Sequence, residues 1–267
     1  ATAQLDSYHR DIAFFRSKSD GTPAIDDGLA TSKESAGIEL ADCIVRGEAV
    51  LLRSEDAQPV RFAWDNGLLV TSERLFSAAA GTKSQPGETV RLDLRHLTAI
   101  MRRGFGRLTC NQINPRHLTA QIDCVDSLLV TSPGSALIEQ IGDDGMDDFR
   151  QRIIWNGERN FYDGFDVFWA VRRSSTEDPL ELMTFDAWRA YWGPEHENLS
   201  RSGALHWRRM PEPDLPTHAH VPGDYELNEV VPSPAIGMAS DGRNAGCVIE
   251  RLPLLPQEPL PNMPATR

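Results

Sequence analysis

The stretch Ile122-Asp123-Cys124-Val125-Asp126-Ser127-Leu128-Leu129 decides the fold, because versions of it return at a nearly fixed interval. Apolar residues stand two and four positions before a polar residue, a small residue follows it, and another apolar residue comes two positions later. The same frame reads Ile38, Leu40, Asp42, Cys43, Val45, then Phe62, Trp64, Asn66, Gly67, Leu69, then Leu92, Leu94, His96, Leu97, Ala99. A weaker fifth copy keeps Ile154, Asn156 and Gly157. The polar anchors 42, 66, 96, 126 and 156 are spaced by 24, 30, 30 and 30 residues. A period of this size predicts a stack in which each copy buries its apolar face only against its neighbours.

Alternation of period two dominates from Ile38 to about Arg173, punctuated by Gly, Pro, Asn and Asp, with no long amphipathic helix. This predicts an all-β solenoid rather than alternating strands and helices. Each copy supplies a strand, a bend and a second apolar run, such as Val50-Leu51-Leu52, Leu75-Phe76, Leu137-Ile138 and Phe165 to Val171. Stacked at roughly 4.8 Å, like positions align: Leu40, Trp64, Leu94 and Cys124 inward, and Asp42, Asn66, His96 and Asp126 at a bend. Asn and Asp tolerate left-handed backbone there and satisfy turn amides.

Outside the copies, a strand is expected around Ile12 to Arg16, followed by a turn-rich linker to Gly37. Thr184 reads as the N-cap of a short helix carrying Phe185, Trp188 and Trp192. Prolines 211, 213, 216 and 222 punctuate the following stretch, and residues 253–267 form a Pro-rich tail. Hence residues 1–37 read as the end of a preceding region and a linker, 38–252 as the solenoid with its cap, and 253–267 as the tail.

Among 267 residues, 40% are hydrophobic and 25% charged, an ordinary globular balance. A net charge of −12 argues against nucleic acid or an anionic membrane as partner. No run approaches the ~18 apolar residues that span a bilayer. The opening Ala1-Thr2-Ala3-Gln4-Leu5 has no basic or apolar leader, so the chain reads as the C-terminal portion of a longer protein with targeting information upstream. Cys43, Cys110, Cys124 and Cys247 form no CxxC pair, against a structural zinc site.

Two C-terminal motifs resemble the closing end of bacterial right-handed parallel β-helix proteins. Phe185-Asp186-Ala187-Trp188, then Gly193, then Glu197-Asn198-Leu199-Ser200 is similar to the family's F-x-x-W, G, D-x-x-S, with Glu in place of Asp. Asp224-Tyr225-Glu226-Leu227, then Ser233-Pro234-Ala235-Ile236-Gly237, Asp241-Gly242 and Gly246 is similar to its D-Y-x-L … S-P-A-I-G … D-G-x-D-x-G-A. There Asn244 replaces Asp and Cys247 replaces Ala. The resemblance covers about residues 38 to 252. It implies a right-handed parallel β-helix of five or six coils, closed by a C-terminal cap that shields the last edge. It also implies a module of a larger bacterial protein at the cell surface or outside the cytoplasm. In some such proteins a serine/threonine kinase or a lectin-like sandwich precedes the β-helix; this chain carries no Gly-rich loop, H-R-D or D-F-G.

Several β-helix proteins are polysaccharide lyases or hydrolases, which need clustered carboxylates for calcium or for glycosidic cleavage. Asp93, Arg95, His96, Asp123 and Asp126 are the residues available for that role; a bend ladder plus a solvated outer face is the better account of them, because no motif beyond the repeat selects them. The acidic run Gly142 to Asp148 lacks the spacing of a calcium loop. His218 and His220 have no evident third ligand, so no metal or cofactor is expected. No catalytic motif occurs. Trp155, Tyr162 and Trp169, in the aromatic-rich segment, are the binding residues expected to stack on a glycan or contact a protein. The expected function is therefore a non-catalytic, monomeric module that offers a structural or binding surface.

Overall fold

The computed structural model describes residues 12–18, 36–56, 58–80, 89–110, 119–142, 150–173, 180–209 and 215–253. The turn-rich linker, the acidic run beyond Gly142, Pro211, Pro213 and the tail after Pro253 lie outside the described residues. The chain is mostly strand, arranged in two largely parallel sheets. One contains β1 (Ala13–Ser17), β3 (Val50–Ser54), β5 (Phe76–Ala79), β7 (Gly106–Thr109), β10 (Ala136–Gly142), β13 (Val167–Arg173) and β14 (Glu181–Met183), in that order. In the other, β2 (Ala36–Gly47), β4 (Val60–Thr71) and β6 (Thr89–Met101) pair in succession. Each of these three strands runs through a bend. Beyond β6 the bend divides the sheet into β8 (Thr119–Val125) with β11 (Ile153–Glu158), and β9 (Leu128–Thr131) with β12 (Phe161–Asp163) and β15 (Arg201–Ser202).

Register follows the repeated frame. Ile38, Phe62, Leu92, Ile122 and Trp155 stand in one row, 24, 30, 30 and 33 residues apart. Leu40, Trp64, Leu94 and Cys124 form the next inward row, as expected. The bend residues Asp42, Asn66, His96 and Asp126 all have left-handed backbone, with φ between 47° and 55°. The fifth bend differs from its expected position. Asn156 registers with Asp123 on the straight part of the strand, and the left-handed residue is Arg159, at φ 53°. Three additional residues in that layer shift the anchor, and the polar Asn156 imitates the frame without occupying its bend.

After the bend, rows alternate between two buried faces. Leu69, Ala99, Leu129 and Tyr162 point into the core, each at 0% exposure. Their neighbours Leu68, Leu128 and Phe161 point outward yet are no more than 1% exposed. The C-terminal segment covers them: Leu205, Leu227, Ala235 and Ala245 pack on Leu128 and Phe161, while Tyr225 and Leu252 pack on Leu68 and Val70. Each such outward side chain contributes about 1.5–3 kcal/mol by leaving water.

The expected single cap on the last edge is therefore two structures. Residues 180–203 close that edge, through β14 antiparallel on β13, the helix α1 (Phe185–Trp192) and β15 beside β12. Thr184 caps α1, its Oγ1 accepting from Ala187 N. Residues 205–209 and 215–253 run along the outside of the stack as a lateral strap. The four cysteines form no disulfide. No helix among the described residues is long and apolar enough to cross a membrane.

Candidate ligand-binding face

The aromatic residues expected to meet a ligand are in the core. Trp155, Tyr162 and Trp169 are 0%, 0% and 1% exposed. Trp155 and Trp188 donate from Nε1 to Glu197 Oε1 at 2.7 and 2.9 Å, and Tyr162 donates its hydroxyl to the same oxygen at 2.8 Å. Trp169 donates to Gln140 Oε1 at 2.7 Å and stacks on Trp192 with ring centroids 5.8 Å apart. The expectation fails because this end of the stack is filled by aromatic rings around one buried carboxylate, so no face of these three rings reaches solvent. Of the surrounding aromatics, Tyr191 is the exposed one, at 42%, with the Arg150 guanidinium 5.6 Å from its ring centre.

Glu197 is the only charged member of this core group. Burial pushes its carboxyl above the ordinary range, against hydrogen bonds from Ser200, Trp188, Tyr162 and Trp155 that lower it. Burial also pushes Tyr162 well above its usual value. Gly157 exists to admit the carboxylate: a Cβ there would lie 2.5 Å from Glu197 Oε2. Ser200 Oγ accepts from Asn160 N at 3.1 Å. The first C-terminal motif is thus a plug, with Phe185 and Trp188 filling the end of the core and Glu197 and Ser200 satisfying its polar groups.

The other sequence-derived residues separate into two places. Asp93 and Asp123 come together on the outward face of β6 and β8, where the register sets them side by side. Arg61 and Arg91 approach Asp93 at 3.3 and 3.1 Å, and Arg91 lies 3.7 Å from Asp123. Asn156 donates to Asp123 at 2.6 Å and is itself 2.7 Å from His196 Nδ1. Arg95 is exposed on the same face. Apart from His196, these side chains, with Glu158 and Glu195, line a shallow trough of about 540 Å3. Strand alternation places them there, since their neighbours Phe62, Leu92, Leu94 and Ile122 take the core. The trough carries guanidinium, carboxylate and amide groups in rows set by strand spacing, suited to a polyhydroxylated or mixed-charge ligand.

His96 and Asp126, in contrast, belong to the bend and face the strap. Asp126 accepts from Ser240 N and Oγ at 2.8 and 2.5 Å, and its backbone carbonyl accepts from Gly246 N at 2.7 Å. His220 is also structural: its Nδ1 meets the Tyr225 hydroxyl at 2.8 Å, and burial lowers its pKa. Among the described residues, no group of three or more His, Cys, Asp or Glu side chains could hold a metal ion. Burial pushes the Cys124 thiol up to about 12 and Cys247 up to about 11, away from nucleophilic use near neutrality.

Compared with known protein families, curated proteins and solved structures, the chain matches none. Sequence reasoning missed the strap's seat on the outer side of the strand segments that follow the bend. The signal was present: Leu68-Leu69-Val70 and Leu128-Leu129-Val130 are continuous apolar runs, which mark strands buried on both faces.

Proposed function

We propose that this chain is a non-catalytic, right-handed parallel β-helix module that serves as a structural or binding surface of a larger bacterial protein. The ligand face in this reading is the trough around Arg61, Arg91, Asp93, Arg95 and Asp123, in place of the aromatic segment. One observation carries the scaffold reading: the repeating polar residues are engaged in holding layers and strap together. Asn66 donates to Asp42 Oδ1 at 2.7 Å and accepts from Val248 N at 2.7 Å. Asp126 holds Ser240, and Thr98 Oγ1 accepts from Cys247 N at 2.9 Å. A repeat whose polar positions are fixed by such bonds supports a splinted scaffold that leaves its outer strand face free for recognition.

The enzyme reading draws on a different observation, the adjacent carboxylates of Asp93 and Asp123 beside Arg91. Acidic-polysaccharide lyases use carboxylates for a cation and a base for proton abstraction. A glycan array run beside a lyase assay on acidic polysaccharides, with and without calcium, separates the two. The scaffold reading expects binding that weakens in Arg91→Ala, without release of unsaturated product. Calcium-dependent product that disappears in a folded Asp123→Ala variant would replace it with the enzyme reading.

A further inference from the structure

A groove of about 940 Å3, larger than the trough, opens within the strap itself, between residues 226–230 and 247–251. Both walls are fixed by hydrogen bonds of their own. Arg208 N donates to Glu226 O at 2.7 Å and Asn228 N to His206 O at 2.8 Å. On the other wall, Cys247 N and Val248 N donate to Thr98 Oγ1 and Asn66 Oδ1 at 2.9 and 2.7 Å. Leu227, Val248 and Ile249 supply apolar lining. A preformed cleft with an apolar lining and a few placed polar groups is the usual form of a recognition site, and this volume stands near the top of the range for such sites.

The first wall also holds apolar side chains out in water. Val230 is 92% exposed and Val231 56%. Their amides both donate to Asn228 Oδ1, at 2.9 and 3.0 Å, and Ser233 N closes the turn on Asn228 O at 3.0 Å. The turn therefore sets their exposure, and Val230 lines the groove. Such a group loses its water only when a partner covers it. Charge gives the sign of that partner. Three guanidiniums line the groove and each already has a carboxylate: Arg208 meets Glu226 at 2.5 Å, Arg243 meets Asp241 at 3.5 Å, and Arg251 meets Asp42 and Asp65 at 3.0 and 3.6 Å. Glu229 and Glu250 line it from opposite walls, both exposed, and no ion pair of 4 Å or less joins either to a described side chain. Every cation there is compensated, and these two anions are not.

We propose that this groove docks a short extended peptide segment of a partner protein, carrying a Lys or Arg between apolar residues. The cation answers Glu229 and Glu250, and its apolar neighbours cover Val230, Val248 and Ile249. Asn244 Oδ1 accepts from Gly237 N at 3.1 Å, so the side-chain N–H groups of Asn228 and Asn244 are available to the peptide backbone. A small cation alone would leave the valine bare, and a purely apolar segment would leave the carboxylates unanswered; one ligand must carry both. This inference is independent of what binds the trough.

Fluorescence polarisation on the intact chain tests it, with labelled nonapeptides whose central residue is Lys, Arg or Glu and whose flanks are Leu and Val or, as a control, Ser. The Lys and Arg members with apolar flanks are expected to bind about tenfold more tightly than their Glu counterparts. Glu229→Gln and Glu250→Gln should each weaken them about two- to fivefold, the range of an exposed ion pair, and both positions are exposed enough to spare the fold. Val230→Ser should weaken every apolar-flanked member about fivefold. Arg91→Ala, in the trough, should change nothing. Equal binding of the Lys and Glu series, binding by none of them, or binding lost in Arg91→Ala but kept in the groove variants overturns the site. Binding that appears only once residues 254–267 are removed would make this chain's own C-terminal segment the occupant, and would overturn the partner.

Discussion

The two ends of the stack are built from the same inward rows and treated in opposite ways. At the C-terminal end the row through Ile122 reaches Trp155, which is fully buried under Trp188, with ring centroids 5.4 Å apart. Strand β14, helix α1 and the Glu197 group finish that end. At the other end the same row finishes at Ile38, which is only partly buried, as are Leu40, Cys43 and Val45 behind it. Among the described residues, β2 pairs only with β4 and β1 only with β3. Ile12 and Phe14 are 43% and 39% exposed. The difference teaches that closure is not a property of the repeat. A layer presents the same apolar row and the same unpaired backbone to either side, and closure at the C-terminal end comes from residues outside the frame.

Removing the closure gives the largest expected effect. A chain stopped at Met183 loses α1, Glu197 and the strap, leaving both the end of the core and the outer row of Leu68, Leu128 and Phe161 open. It should be insoluble on expression, or soluble only as aggregate by size-exclusion chromatography. A monomeric truncation with a cooperative melt would mean that the layers are self-sufficient and that the two ends do not differ in kind.

A finer cut leaves the backbone of the closure intact. Glu197→Ala orphans the two indole N–H groups and the tyrosine hydroxyl at once, and should cost about 3–5 kcal/mol in denaturant melts. Glu197→Gln keeps an acceptor and removes the charge. Burial holds the native carboxyl above the usual glutamate value of 4.5. A group held up by the fold contributes stability that is complete below its unfolded value and is lost as pH rises through its folded one. Wild-type stability measured relative to Glu197→Gln should therefore fall as pH increases from about 4.5. A gap that stays flat to pH 8 would mean that the four donors fully offset the desolvation.

The inward row permits a comparison with chemistry held constant. Ile122→Ala, at 0% exposure, should cost about 2–5 kcal/mol. Ile38→Ala removes the same atoms from the same row three layers away, where the site is already partly open, and should cost about 1 kcal/mol. Equal losses would show that the β2 end is as well packed in solution as the interior.

How much of this was legible depended on which physical constraint shaped each residue. The inward rows and the bend at Asp42, Asn66, His96 and Asp126 were readable because stacking forces like residues into like positions. The strand at β1 and the cap at Thr184 were readable from local pattern alone. β7 was not, because Gly106 leaves a gap filled by the ring of Phe76 from the layer before, and a Cβ there would lie 2.0 Å from that ring. Trp155, Tyr162 and Trp169 were misplaced since composition does not distinguish a ring that fills an end from one that faces a ligand. Glu197, the common partner of Trp155 and Tyr162, lies 42 and 35 residues away from them in sequence. The strap's course had no periodic signal at all, being held by single side chains on four separate layers.

The smallest expected effect concerns the face that neither the core nor the strap uses. Arg95 stands on the outward side of β6, exposed, between Asp65 and Val125 in register. Arg61 and Arg91 on the same face hold Asp93 and Asp123, whereas no ion pair of 4 Å or less joins Arg95 to another described side chain. Truncating a solvated cation of this kind changes stability by less than about 0.5 kcal/mol. Arg95→Ala should therefore melt with the wild type. If the trough binds a glycan or protein, the same substitution should weaken that binding while leaving the melt unchanged, because the cation faces the ligand and not the fold. A loss of stability above about 1 kcal/mol would show instead that the outer face helps hold the layers together. The trough would then be a third structural device, beside the closed end and the strap.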